Sequence, residues 1–183
     1  VIVNKLMMDE TSLKNASHIR YIGITATGKN NIDFDYTKSR GICVTNVAGY
    51  STDVVAQHTF AMTLYLLEHL RFYELSGKTW GILGLGAIGS KVAQIAETFG
   101  CSVIFYSPSG TKREEKYRQV DLDTLLAQSD ILSVHAPLTE KTHHLMDYEA
   151  FSKMKESAIF INVGRGPIVE EQGLCRALTE GKI

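Results

Sequence analysis

The sequence has almost no net charge: nineteen Lys plus Arg against twenty Asp plus Glu leave −1 over 183 residues. A chain built to neutralise a nucleic-acid backbone or to lie on an anionic membrane carries a large basic excess, so neither is an expected partner. Long apolar runs are missing too, and no charged-then-apolar leader opens the chain, so the expectation is a soluble, cytoplasmic protein. Cysteine is scarce. Cys43, Cys101 and Cys175 are widely spaced, which argues against a disulfide framework and against a zinc site. Each falls in or beside an apolar segment and reads as a buried, reduced thiol. Repeats and low-complexity tracts are absent as well. What remains is an ordinary globular composition, 44 % hydrophobic and 21 % charged, in a chain long enough for one medium domain or two small ones.

Strand and helix patterns alternate along two stretches, the signature of parallel α/β units. In the first, strands are predicted at 1–3, 20–26 and 42–46, with helices at 9–17 and 33–39, the latter closed by Gly41. Ser51, Thr52 and Asp53 are candidate caps for a long helix to about residue 70, whose dense apolar positions predict burial on most sides. The second stretch begins after the polar break at 75–78. It predicts strands at 79–85, 102–106, 130–136 and 157–163, and helices at 87–99, 121–129, 147–154 and 170–180. A domain boundary is therefore expected near residue 70, giving units at 1–70 and 71–183. A doubly wound dinucleotide domain has six strands, so four predict a longer parent protein, as do a start inside a strand at Val1 and a stop at Ile183.

Gly84, Gly86 and Gly89 fit G-x-G-x-x-G at the end of a strand and the start of a helix. Gly84 permits the tight turn, Gly86 lets backbone approach a pyrophosphate, and Gly89 lets the helix pack closely on the strand. The first-turn N–H groups and the helix dipole then favour the anionic phosphates. A carboxylate that reads the ribose is expected about 20 residues on, and Ser107 stands there instead. Ser109, Lys112 and Arg113 follow. Two readings stay open: the loop accepts NADP, or the two cations are solvated and NAD binds without its usual carboxylate.

At the last predicted strand's exit, Gly164 and Gly166 flank Arg165. A guanidinium there can clamp a carboxylate through two parallel hydrogen bonds and polarise an adjacent carbonyl. His135, at another strand exit, reads as a packing residue without an acid–base role. His143 and His144 look like a metal pair but have no third ligand near them in sequence, so they read as solvated.

Together SGKTWGILGLGAIGSKVA, SVHAPLTEKTHHL and AIFINVGRGPIVEEQGLCRAL resemble the cofactor domain of the D-isomer-specific 2-hydroxyacid dehydrogenases. ATGKNNIDFDYTKSRGICVTNVAGYSTDVVAQHTFAM is similar to the end of that family's substrate domain and its interdomain helix. The resemblance implies an α/β protein: a Rossmann-type doubly wound parallel sheet that binds NAD or NADP, plus part of a flavodoxin-like substrate domain. The implied reaction interconverts a 2-keto acid and a D-2-hydroxy acid by hydride transfer, of glycerate/hydroxypyruvate or lactate/pyruvate type, in a homodimer.

The same resemblance implies roles for individual residues. Arg165 would bind the substrate's carboxylate and carbonyl, with Arg165 also beside the cofactor. Backbone N–H groups of Ala26, Thr27 and Gly28 would help hold the carboxylate. Leu85, Gly86, Ala87 and Ile88 would hold the pyrophosphate, His135, Pro137 and Thr142 would line the adenosine side, and Val163 would approach the nicotinamide. The family's catalytic His and the Glu that orients it would follow Ile183, and the junction at 69–73 is shorter than the family's. A cofactor-sensing corepressor on the same fold is the alternative reading.

Overall fold

The computed structural model describes residues 1–69, 74–110 and 116–183. Lys112, Arg113 and residues 70–73 of the short junction lie outside them. The chain divides into two compact units, Val1–Ser51 and Thr52–Ile183.

The first unit is a three-stranded parallel sheet, β1 (Ile2–Val3), β2 (Tyr21–Ile24) and β3 (Cys43–Asn46), in that order. Helices α1 (Glu10–Leu13) and α2 (Phe34–Ser39) connect the strands. α1 is far shorter than the expected 9–17. Asp9 and Ser12 form a capping box at its start, and Leu13 is its only buried residue, so one turn completes what it has to bury. The core gathers Val3, Met8, Leu13, Ile22, Ile24, Ile32 and Ile42.

The second unit opens with α3 (Thr52–His69), followed by β4 (Thr79–Leu83), α4 (Ala87–Thr98), β5 (Ser102–Tyr106) and β6 (Arg118–Gln119). Then come α5 (Leu122–Gln128), β7 (Ile131–Val134), α6 (Tyr148–Ser152), β8 (Ile159–Asn162), a 3-10 turn (Gly166–Ile168) and α7 (Glu171–Thr179). Its five strands are all parallel, in the order β6-β5-β4-β7-β8. This is the doubly wound Rossmann arrangement: the chain steps outward from β4 in one direction, then returns to its other side. Alternate residues of the strands feed two cores. Trp80, Ile82, Phe105, Ile131 and Ile159 pack with residues of α3 and α4. Leu83, Ile104, Leu132 and Val134 pack with α5, α6 and α7. With both faces covered, β4 and β7 are almost wholly buried, which is why they read as unbroken apolar runs.

Further features differ from the sequence reading. The long helix belongs to the second unit, because Phe60 packs on Trp80, with ring centroids 4.5 Å apart, and on Phe99 at 5.6 Å. It is buried along one stripe, Ala56, Thr59, Phe60, Thr63 and Leu67, while Val54, Leu64 and Tyr65 are exposed. Thr59 and Thr63 enter the stripe because their hydroxyls bond the carbonyls of Val55 and Thr59, one turn back. β6 is a two-residue strand without an apolar signal, so periodicity does not reveal it.

Two of the three thiols are exposed, not buried. Cys43 lies on the edge strand β3, whose alternate residues face outward. Cys175 lies across α7 from the buried Gly173 and Ala177. Only Cys101 is buried, its thiol pushed up to about 11 by desolvation and by the nearby Asp130.

Candidate functional site

In the second unit the parallel register sets Leu83 level with Tyr106 and Val134, and Val134 level with Asn162. The loops leaving β5, β4, β7 and β8 therefore emerge along one edge of the sheet. Strand order reverses at β4, and a crevice opens where neighbouring loops part to opposite faces. A cleft of about 610 Å³ lies there. Its lining includes Gly84, Leu85 and Gly86 from the β4 exit, Ser107 and Ser109 from the β5 exit, and His135, Pro137 and Thr142 beyond β7. All eight are among the residues expected to hold a dinucleotide. Sequence reasoning missed Phe105, Pro108, Ala136, Thr139, Glu140 and Lys141, which complete the lining.

The glycines divide their tasks by geometry. Gly84 has φ +97°, and a Cβ there would stand 2.8 Å from the backbone of Ala136. A Cβ on Gly89 would meet the carbonyl oxygen of Gly84 at 2.3 Å, so only glycine lets α4 rise this close to β4. Around Gly86 nothing lies within 4 Å of such a Cβ. Gly86 is also the N-cap of α4, and no side chain caps the helix. The first-turn N–H groups of Ala87, Ile88 and Gly89 lack intrahelical acceptors by helix geometry. Open backbone, unspent donors and the positive end of the helix dipole fit a pyrophosphate.

At the β5 exit the Ser107 and Ser109 hydroxyls lie 3.0 Å apart. The carboxylate and ammonium of the lining are Glu140 and Lys141, from the loop after β7. Thr142 is buried, and its hydroxyl serves the loop itself, accepting from the Thr139 N–H at 2.8 Å and donating to the Pro137 carbonyl at 2.7 Å.

His135, half-buried, ends a chain of three residues whose other two members, Trp80 and Ser133, are buried. The Trp80 Nε1–H donates to Ser133 Oγ at 2.8 Å, and Ser133 Oγ lies 2.9 Å from His135 Nε2. Indole only donates, so Ser133 Oγ accepts from Trp80 and keeps one hydrogen and one lone pair with which to donate to Nε2 or accept from it. His135 Nδ1 is buried with no hydrogen-bond partner. A lone buried ring nitrogen beside a cleft of this size fits a site that a polar ligand completes. Desolvation lowers the imidazole to about 4, so it is neutral near pH 7.

Arg165 is exposed, and none of the ion pairs among the described residues involves it. Its Nη1 donates to the Gly164 carbonyl at 3.1 Å. A Cβ on Gly164 would stand 3.0 Å from the Ala136 carbonyl oxygen, so the Arg165 loop runs beside the exit of β7. Arg165 is not part of the cleft lining; Val163 packs partly into the core beneath it. His143 and His144 are exposed and stacked at 3.9 Å. Among the described residues no group of three His, Cys, Asp or Glu is placed to hold a metal ion, and no helix is long and apolar enough to cross a membrane.

In the first unit, the turn after β2 holds Ala26, Thr27 and Gly28. The Ala26 carbonyl accepts from the Val47 N–H at 3.3 Å, and the Thr27 carbonyl from Asn46 Nδ2 at 2.8 Å. Across a planar trans peptide the N–H opposes the C=O, so the N–H groups of Thr27 and Gly28 are directed away from β3.

Comparison with known proteins agrees with this geometry. The sequence pattern described as "D-isomer specific 2-hydroxyacid dehydrogenase, NAD binding domain" matches residues 44–183. The chain is 33 % identical over 208 residues to a hydroxypyruvate reductase of Blautia hydrogenotrophica, covering 100 % of this chain and 65 % of that protein. Among solved structures it is similar to a D-lactate dehydrogenase of Aquifex aeolicus complexed with NAD and lactic acid. That match has 36 % identity and a TM-score of 0.89, covering 100 % of this chain and 61 % of that one. It is also similar to an acyclic imino acid reductase in complex with NADPH and D-Arg, at 30 % identity and a TM-score of 0.87, covering 100 % of this chain and 65 % of that one. The chain thus spans 61–65 % of the length of these relatives.

Proposed function

The chain belongs to the D-isomer specific 2-hydroxyacid dehydrogenase family, and on that premise we propose that the protein is an NAD(P)-dependent oxidoreductase interconverting 2-keto acids and D-2-hydroxy acids. We place its substrates in the glycerate/hydroxypyruvate or lactate/pyruvate class. The observation that carries the reading is Arg165: a guanidinium without a carboxylate partner among the described residues, on the loop beside the β7 exit. Such a group binds a substrate carboxylate through two parallel bonds. It also stabilises charge that develops on the neighbouring carbonyl oxygen.

The cleft residues hold the cofactor. The first turn of α4 takes the pyrophosphate, and Ser107, Ser109, His135 and Pro137 surround the adenosine side. When bound, the nicotinamide donates or accepts the hydride. His135 stays neutral and does not move the proton of the reaction. The amides of Thr27 and Gly28 in the first unit bind carboxylate as well. Hydroxyls at the β5 exit neither repel a 2′-phosphate as a carboxylate would nor exclude NAD, and the relatives include an NAD complex and an NADPH complex. A cytoplasmic homodimer completes the proposal, supported by the exposed Val54, Leu64 and Tyr65 of α3 and tested by sedimentation. No observation favours the corepressor reading.

The test is reduction of pyruvate, hydroxypyruvate and glyoxylate by the intact protein with NADH and NADPH. Arg165→Ala is expected to lower kcat/KM on the order of 10²–10³-fold. Near-normal turnover in that variant would remove the role assigned to Arg165.

A further inference from the structure

β3 and β8 end on the same residue type. Asn46 is the last residue of β3 and Asn162 the last of β8. In each unit the carboxamide turns onto the loop that carries a proposed substrate contact, and the proposed function makes no use of either.

Asn162 makes two bonds. Its Oδ1 accepts from the Gly164 N–H at 2.9 Å and its Nδ2 donates to the Arg165 carbonyl at 3.0 Å. One partner can only donate and the other can only accept, so the orientation of the carboxamide is determined. The bonds fall on either side of the Arg165 α-carbon and frame both of its backbone dihedrals, φ −129° and ψ 140°. The Arg165 carbonyl also accepts from the Ile168 N–H at 3.1 Å, which anchors the loop to the 3-10 turn. Glycines flank Arg165, so the loop has little stiffness of its own. Without the carboxamide, the backbone that carries the guanidinium would keep the Ile168 bond but lose its hold on the Gly164 N–H.

Asn46 makes one bond of the same kind. Its Nδ2 holds the Thr27 carbonyl, and Thr27 Oγ1 donates to the Val47 carbonyl at 3.2 Å, so the turn is stitched to the end of β3. Holding that carbonyl toward β3 sends the Gly28 N–H the other way. Rotation of this one peptide would present an oxygen where an anion needs a donor.

We infer that Asn162 and Asn46 are positioning residues for substrate carboxylate: Asn162 by fixing the Arg165 loop, Asn46 by fixing the direction of the Gly28 amide. Neither needs to touch substrate. The inference rests on the proposed function for its substrate but not for its geometry, and the two are tested separately.

The experiment uses the intact protein with Asn162→Ala, Asn162→Asp, Asn46→Ala and Asn46→Asp. Amide hydrogen exchange at Gly164, read without any substrate, is expected to accelerate in Asn162→Ala and to stay slow in Asn162→Asp, which keeps the acceptor. Unchanged exchange in Asn162→Ala overturns the brace whether or not the protein is active. Each Ala variant is expected to lose about 10- to 100-fold in kcat/KM for the keto acid and to bind oxamate correspondingly more weakly. The NADH dissociation constant and thermal midpoint should stay near wild type. Asn162→Asp restores one bond but places a carboxylate beside Arg165, and is expected to bind oxamate more weakly than wild type while folding normally. Wild-type oxamate affinity in both Ala variants overturns the inference, as does a loss of NADH affinity and stability equal to the loss of oxamate affinity. A wild-type protein that reduces no 2-keto acid overturns the proposed function, with the exchange result still deciding the Asn162 brace.

Discussion

Gly84 and Ala136 stand so close at the exits of β4 and β7 that a Cβ on the glycine would lie 2.8 Å from the alanine's backbone nitrogen. The same alanine's carbonyl oxygen would be 3.0 Å from a Cβ on Gly164. Three strand exits thus converge on one small residue. Gly84→Ala combines a left-handed φ with a backbone clash and is expected to cost at least about 2 kcal/mol. Urea unfolding of the variant checks this; a midpoint equal to wild type would show that the exits can move apart.

Gly86→Ala separates binding from folding. Its φ is −90°, and nothing lies within 4 Å of the new Cβ. Stability should fall by no more than about 1 kcal/mol, the usual penalty for alanine at an N-cap. NADH titration should show at least a tenfold loss of affinity, because the Cβ occupies the space assigned to the pyrophosphate. Unaltered affinity would move the pyrophosphate elsewhere.

His135 gives a pH dependence with a definite sign. The unfolded chain takes up its proton near the ordinary 6.5, whereas the folded protein resists until about 4. Between those values the unfolded state holds more protons, so this contribution to stability is complete above pH 6.5 and is lost as pH falls toward 4. The His135 imidazole resonance should stay constant from pH 8 to 5.5. A midpoint near 6.5 would mean that the ring is solvated.

Ser133→Ala leaves the Trp80 Nε1–H buried without its acceptor and removes the partner of His135 Nε2. The expected cost is about 1–3 kcal/mol. Trp80 is the only tryptophan, so the emission spectrum reports directly on the change. An unshifted spectrum with unchanged stability would refute the three-residue chain.

Thiol titration should find two reactive groups in the folded protein and three after denaturation. Cys43 and Cys175 are exposed, while burial and the Asp130 charge raise Cys101 to about 11 and leave almost no thiolate near pH 8.

Much of the fold was legible because its signals are local. The apolar runs of β4 and β7 announce strands buried on both faces, and G-x-G-x-x-G announces the turn into α4. Each depends on neighbours a few residues apart. β6 escaped because two residues, Arg118 and Gln119, carry no period. The dense apolar pattern of α3 says how much can be buried, not which stripe is.

The site shows the same division. Gly84, Gly86, Ser107 and Arg165 stand out as candidates because strand exits and backbone requirements can be read along the chain, whereas His135 does so only through the family resemblance. The sequence alone therefore determined the class of fold, the family and the cofactor grip. Tertiary structure was needed to show that Trp80 and Ser133, 53 residues apart, join in a chain that ends on His135, that Glu140 and Lys141 line the cleft, and that Asn46 and Asn162 bind the loops they face. The reason is physical. Hydrophobic period and backbone strain act between neighbours in the chain, whereas hydrogen-bond partners and burial are set by strand register, which forms only when distant segments pair.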